Sequence, residues 1–197
     1  ASCLVGSEMC IRDRPMEYPT YYPAARRFFA DIVSLGISCK AGSTHFLEKT
    51  PHNLLAPKAL ADFVGDPYCL HVIRDPRGTA ASLVSQSWGP DTLSQAAAWV
   101  QSYYDRWFQV RGTYADLGLA LSEVKIEDIV RSPQGRNDRL LGELGLSPEM
   151  LFHDADGGQL TAGRSRLEHE DLALLDNKLG ALSERLGYPA AWATLMH

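Results

Sequence analysis

Cysteine is scarce in this chain: four residues among 197, at positions 3, 10, 39 and 69. No CxxC, no HxxxH, no Cys/His cluster and no paired acidic site occurs, so the pattern offers no metal site and no disulfide framework. Cys39 and Cys69 are expected as buried free thiols in a reducing compartment, the cytoplasm. Long apolar runs are lacking too, and none approaches the roughly 20 residues of a membrane span. Positive charge is in deficit: 19 Lys and Arg against 24 Asp and Glu give a formal charge of -5. That balance speaks against a general nucleic-acid binder, while remaining compatible with a small basic pocket. Repeats and low-complexity tracts are missing. What is there is ordinary for a globular protein, with 45% hydrophobic and 22% charged residues. The length fits one α/β domain, or two small ones.

The opening residues, ASCLVGSEMCIRDRP, have neither a positive n-region nor an apolar h-region, so they are no signal peptide. The stretch from Gly6 to Arg14 resembles a translated sequencing adapter of the kind found in assembled metagenomic sequence. Residues 1–14 are therefore expected to be a non-native leader, with a natural irregular leader as the other reading. Residues 15–197 are expected to form a single α/β domain.

Along the chain, Ala24–Leu35 has a helical apolar pattern that stops before Gly36. His45–Leu47 reads as a short strand and Pro57–Val64 as a short helix. Tyr68–Ile73 is the clearest strand, compact and apolar. Asp75-Pro76 then opens a helix, with Asp as N-cap and Pro at its first position. Helices are expected over Leu93–Val110, 137–144 and Glu168–Leu186, and a strand over Leu119–Ile126. Trp99, Tyr103 and Trp107, spaced by four, read as core ahead of a substrate-pocket lining. Strands alternating with helices predict a parallel sheet covered by helices, with any ligand site at its carboxyl edge.

Two segments carry chemistry. In Arg74-Asp75-Pro76-Arg77-Gly78-Thr79-Ala80-Ala81-Ser82, an arginine ends a strand just where a helix begins. The orphan N–H groups of the first turn and the Arg74 fork favour an anion. Gly78 and Ser82 share a helix face, the first allowing close approach, the second offering a hydroxyl. The arrangement reads as a phosphate site, or equally as a plain strand–helix corner with Arg77 paired to Asp75. Upstream, Glu48-Lys49-Thr50-Pro51-His52-Asn53 gathers a carboxylate, an ammonium, a hydroxyl and an imidazole. That set can neutralise a transferred anionic group and deprotonate an acceptor. It also fits a polar loop leading into the next helix.

Together, and in this order, the two segments resemble the sulfotransferase superfamily. Its members carry a sulfuryl group from 3′-phosphoadenosine 5′-phosphosulfate (PAPS) to a hydroxyl or amine. A third match is Val124-Lys125-Ile126-Glu127-Asp128-Ile129-Val130, followed by Ser132-Pro133 and Leu144-Gly145-Leu146, similar to the family's "YEDL … P … LGL" stretch. Leu186-Gly187-Tyr188-Pro189 fits the bacterial branch. The resemblance covers most of residues 20 to 190. It implies a P-loop-kinase-like parallel β-sheet flanked by helices, with PAPS as cofactor. It implies that Arg74 and Ser82 bind the 3′-phosphate, and that EKTP is the lysine-bearing active-site segment. Gly163-Arg164-Ser165-Arg166 resembles a basic segment that some members fold over the 3′-phosphate, which adds Arg164; a solvated loop is the plainer reading. Two departures stand out. The family's 5′-phosphosulfate loop has no counterpart, so the domain is expected to lack its first βα unit and, as it stands, to be inactive or nearly so. Ile126 replaces the tyrosine of "YED".

In this reading Lys49 stabilises the transferring group, since positioning and electrostatics dominate such displacements. His52 ranks first as the acceptor's base because it titrates near neutrality; Glu48 ranks second, its pKa depressed by the adjacent Lys49. Arg77 is expected on the helix surface, with a second phosphate contact as the other reading. Glu127 and Asp128 are expected to hold a loop or cap a helix. Tyr18, Tyr21, Tyr22, Phe28 and Phe29 are core candidates that could also line an acceptor pocket. Sugar, lipid, peptide and small-alcohol acceptors all fit. Two other classes compete: a P-loop nucleotide kinase-like phosphotransferase, which needs a Walker-type loop and a Mg²⁺-holding Asp, and a non-catalytic nucleotide-binding domain.

Overall fold

Residues 69–73, CLHVI, alternate between a buried and a more open face, as a strand at the edge of a helical layer should. In the computed structural model, which describes residues 18–39, 42–43, 45–131, 138, 140–146 and 167–192, this segment is β1 (Cys69–Ile73). It pairs in parallel with β2 (Leu121–Lys125), Cys69 opposite Leu121 and Ile73 opposite Lys125. Among the described residues the sheet has these two strands. The chain is thus a mixed helix–strand fold with a small parallel sheet. It divides into two compact units: Ala1–Pro67 with Thr113–Ala120, and Tyr68–Gly112 with Leu121–His197.

In the first unit, α1 runs over Tyr18–Ser38, longer than the predicted Ala24–Leu35. A 3-10 turn (Pro51–Leu55) leads into α2 (Pro57–Val64), which has the predicted bounds. Tyr22 stacks on Phe63 at 5.1 Å between these helices. The Tyr114 hydroxyl donates to the Leu54 carbonyl at 2.8 Å. Phe28 is 68% exposed, so it is not core. Tyr18 and Tyr21 have side chains outside the described residues. Cys39 is exposed rather than buried, because it follows the last turn of α1. The short strand expected at His45–Leu47 does not form: residues 45–50 are exposed and carry no regular structure, and β1 and β2 pair with each other.

In the second unit, β1 passes into α3 (Pro76–Val84), then α4 (Leu93–Val110). The short α5 (Thr113–Asp116) of the first unit precedes β2, which runs directly into α6 (Ile126–Arg131). The last described helix is α7 (His169–Arg185). Residues 138 and 140–143 are helical, and the rest of the helix expected over 137–144 lies partly outside the described residues. Thr92 and Gln95 form a reciprocal capping box that starts α4. Trp107 of α4 is fully buried, but Trp99 is 39% exposed and edges onto Trp88. A spacing of four drifts by about 40° per step on a helix of 3.6 residues per turn. The buried stripe therefore runs Ala96, Ala97, Val100, Tyr104 and Trp107 instead.

On the same face of the sheet, His71 (3% exposed) lies opposite Glu123. Glu123 Oε1 takes a hydrogen bond from Trp107 Nε1 and is paired to His71 Nδ1, each at 3.1 Å. The His71 ring stands 4.3 Å from Trp107. The His71 bond, and to a lesser degree Trp107, holds the Glu123 carboxyl below the usual carboxylate range. Burial pushes the Tyr103 phenol up to about 12.

Arg77 is the largest departure from expectation. It is fully buried, not on the helix surface. Its Nε and Nη2 fork onto Asp75 at 3.0 and 2.8 Å. Nη1 donates to Asp176 at 2.7 Å and to the Ala190 carbonyl at 2.9 Å, and Nη2 also reaches the Pro189 carbonyl at 2.8 Å. The Trp192 ring lies 5.8 Å from the guanidinium carbon. Two carboxylates and two carbonyls satisfy the fork, which makes its burial tolerable. Asp176 sits on the apolar stripe of α7 with Leu172, Leu175, Leu179 and Leu182. A carboxylate on such a stripe needs a cation, and Arg77 supplies it.

Arg77→Ala should destabilise the protein by about 3–5 kcal/mol, since it strands two partnered carboxylates. Chemical denaturation measures this, and a loss below 1 kcal/mol would contradict it. Glu123 is deprotonated more readily folded than unfolded. Its contribution is therefore complete above the ordinary carboxylate pKa and lost as pH falls through the depressed folded value. The melting-temperature gap between wild type and Glu123→Gln should be present at pH 7 and close toward pH 3.

Candidate functional site

The parallel register puts the carboxyl ends of β1 and β2 side by side, with Ile73 opposite Lys125. Arg74-Asp75 and Ile126-Glu127 therefore leave the sheet next to each other. Asp75 N–H donates to Glu127 Oε1 at 3.1 Å, and Tyr188 donates its hydroxyl to Glu127 Oε2 at 2.7 Å. Burial, and then Glu127, push the Tyr188 phenol up, so it stays a neutral donor. Lys125 Nζ donates to the Gly187 carbonyl at 2.9 Å and lies 4.4 Å above the Tyr188 ring. Gly187 has a φ of 75°, which suits glycine, and a Cβ there would stand 2.9 Å from Lys125 Nζ. Three motifs that are far apart in the sequence, RDPR, KIED and GYP, are thus one hydrogen-bonded corner at the carboxyl edge of the sheet. Glu127 holds the loop, as expected.

Asp75 caps α3, accepting from Arg77 N at 3.0 Å, with Pro76 at the first helical position. The helix start offers an anion less than the sequence suggests. Pro76 has no N–H, Arg77 N–H is taken by the cap, and Thr79 N–H donates to the Asp75 carbonyl at 2.9 Å. Gly78 N–H is the remaining amide of the first turn. The positive charge at this point comes from Arg74, which is half-buried. Its guanidinium lies over Gly78: a Cβ added to Gly78 would be 3.3 Å from Arg74 Nε and 3.5 Å from Trp192 Cζ2. The bare Cα of Gly78 is thus where Arg74 and Trp192 approach the helix. Ser82 is half-buried one turn further along the same face. The structure puts Gly78 and Ser82 one turn apart on α3 and lays the Arg74 side chain, from the residue before the cap, over Gly78.

Glu48, Lys49 and His52 lie in the first unit, all exposed. The Glu48 carboxylate accepts from the Thr50 hydroxyl, from Thr50 N at 3.1 Å and from Asn53 Nδ2 at 2.7 Å. The Thr50 hydroxyl above all, with Asn53 and the Thr50 amide, holds its carboxyl below the usual range. The cause is this local cap rather than Lys49. A carboxylate so engaged braces the turn that carries His52 and is a weaker base for it. Arg164 lies outside the described residues, as do Ser132 and Pro133.

Asp176, Tyr188 and Trp192 were not singled out from the sequence as parts of this corner. For Asp176 the signal was available, a carboxylate on the apolar face of a helix. For Trp192 there was none, because its role depends on a chain reversal after α7. Among the described residues no group of His, Cys, Asp and Glu could hold a metal ion, and no helix is long and apolar enough to cross a membrane.

A family model described as "Sulfotransferase family" matches residues 12–149, more than half of the chain. Neither the curated proteins nor the solved structures give a match. The matched range includes EKTP, the RDPR corner and KIED, and it ends before α7. That match, over more than half of its length, shows that the chain belongs to the sulfotransferase family.

Proposed function

We propose that the protein is a PAPS-dependent transferase that delivers a sulfuryl group to a hydroxyl or amine. The observation that supports this best is the Arg74–Gly78–Ser82 face at the carboxyl edge of a parallel sheet, inside the matched family range. The donor set suits a phosphate dianion: a planar cationic fork, one backbone amide and a hydroxyl. Arg74 and Ser82 would hold the 3′-phosphate. The surrounding fold would then be of the P-loop-kinase type.

Bound PAPS would supply the sulfuryl group. Lys49 offsets negative charge on that group, and His52 accepts the acceptor's proton. Glu48 positions His52 by bracing the 50–53 turn rather than acting as the base. The acceptor class is a small molecule carrying a nucleophilic oxygen or nitrogen. The phosphotransferase reading gains no observation: the sequence shows no Walker-type loop, and Asp75 at the end of β1 is committed to Arg77.

Calorimetry with adenosine 3′,5′-bisphosphate tests the binding half. Arg74→Ala should weaken it roughly ten- to hundredfold, as expected for a charge-assisted hydrogen bond, and Ser82→Ala only a few-fold. Unchanged affinity in Arg74→Ala would refute the assignment. PAPS turnover against a phenol, a primary alcohol and an amino sugar, in a chain supplied with the family's 5′-phosphosulfate loop, tests the chemistry. Lys49→Ala and His52→Ala should each lower kcat by about 10²-fold or more, and Glu48→Gln by less than about tenfold. A larger loss in Glu48→Gln than in His52→Ala would reverse the two roles.

A further inference from the structure

Every partner that Arg77 has outside its own turn lies beyond residue 149, where the family match ends: Asp176, Pro189, Ala190 and Trp192. Asp176 serves two of these contacts at once. Its Oδ1 accepts from Arg77 Nη1 at 2.7 Å and from Trp192 N at 3.0 Å, with Oδ2 3.3 Å from the same amide. Trp192, 5% exposed, then stands with one edge on Gly78, at the point where the Arg74 guanidinium also arrives. Asp75, the residue after Arg74, is pinned on both sides, its N–H by Glu127 and its carboxylate by Arg77. Both the backbone and the side chain of Arg74 are therefore bounded by groups that the C-terminal segment holds in place.

We propose that Asp176 and Trp192 are positioning residues for the anion site: they fix Arg77 and wall off the Arg74 side chain, so that its fork is preorganised for a phosphate. This rests on the reading of Arg74 as a phosphate ligand. Preorganisation lowers the cost of ordering a long cationic side chain on binding. A loosened wall should therefore reduce discrimination for the phosphate that Arg74 contacts, and leave the rest of the nucleotide's affinity largely intact.

The experiment compares the affinities of the full chain for adenosine 3′,5′-bisphosphate and adenosine 5′-monophosphate by calorimetry, alongside melting temperatures. The ratio reports the 3′-phosphate alone. Trp192→Phe and Asp176→Asn are each expected to cut the ratio by about tenfold, and Arg74→Ala to cut it at least as far. Trp107→Phe, a core change outside the corner, should lower the melting temperature and leave the ratio unchanged. Where Asp176→Asn fails to fold, Trp192→Phe alone carries the test. A ratio lost in Arg74→Ala but kept at wild-type size in Trp192→Phe overturns the positioning role and spares the phosphate assignment. The same holds for a ratio that falls in Trp107→Phe as much as in Trp192→Phe. A ratio unchanged in Arg74→Ala, or a wild-type chain that binds neither nucleotide, overturns the phosphate assignment and this inference with it.

Discussion

A guanidinium that is fully buried must have each of its donors met, and Arg77 sets the terms for the unit that contains it. Its fork closes the turn that starts α3, reaches a carboxylate on α7 and gathers two carbonyls from the segment after α7. Those contacts are directional, so they fix where the C-terminal segment runs. An apolar residue of similar size would fill the volume without dictating the path. The cost is high sensitivity: removal of Arg77 takes the cation from both Asp75 and Asp176.

From that constraint the site follows. With Asp75 held by Arg77 and Glu127, the end of β1 has one direction in which to leave the sheet. Arg74 is then laid across the bare Cα of Gly78, against Trp192. The amides of the helix start are largely taken by its cap and first turn, so the positive charge there resides in the Arg74 side chain. A side chain is more easily tuned by its surroundings than a helix terminus. In the other unit the same economy applies on a smaller scale, where the Glu48 carboxylate is committed to Thr50 and Asn53.

Much of this was legible from residue order. The strand at 69–73, the Asp–Pro cap at 75–76, the helices at 57–64 and 93–110 and the parallel pairing all rest on local propensity and period. Gly78 and Ser82 share a face because helix geometry makes residues four apart neighbours. The failures have physical causes. His45–Leu47 has strand composition, but a strand exists only with a ladder partner, and composition does not supply one. Trp99 was placed in the core by a spacing that drifts around the helix. Arg77 was placed on the surface because charge normally goes there; its burial depends on Asp176, Pro189 and Ala190, a hundred or so residues away.

The sequence by itself determined the family, the local elements and the identity of the groups able to meet an anion. These depend on composition and spacing within a few turns. Only the tertiary structure decided which of two arginines, three residues apart in RDPR, is the structural one. That choice is made by desolvation and by distant carboxylates, and both come into being only when α7 and the segment after it close over the corner.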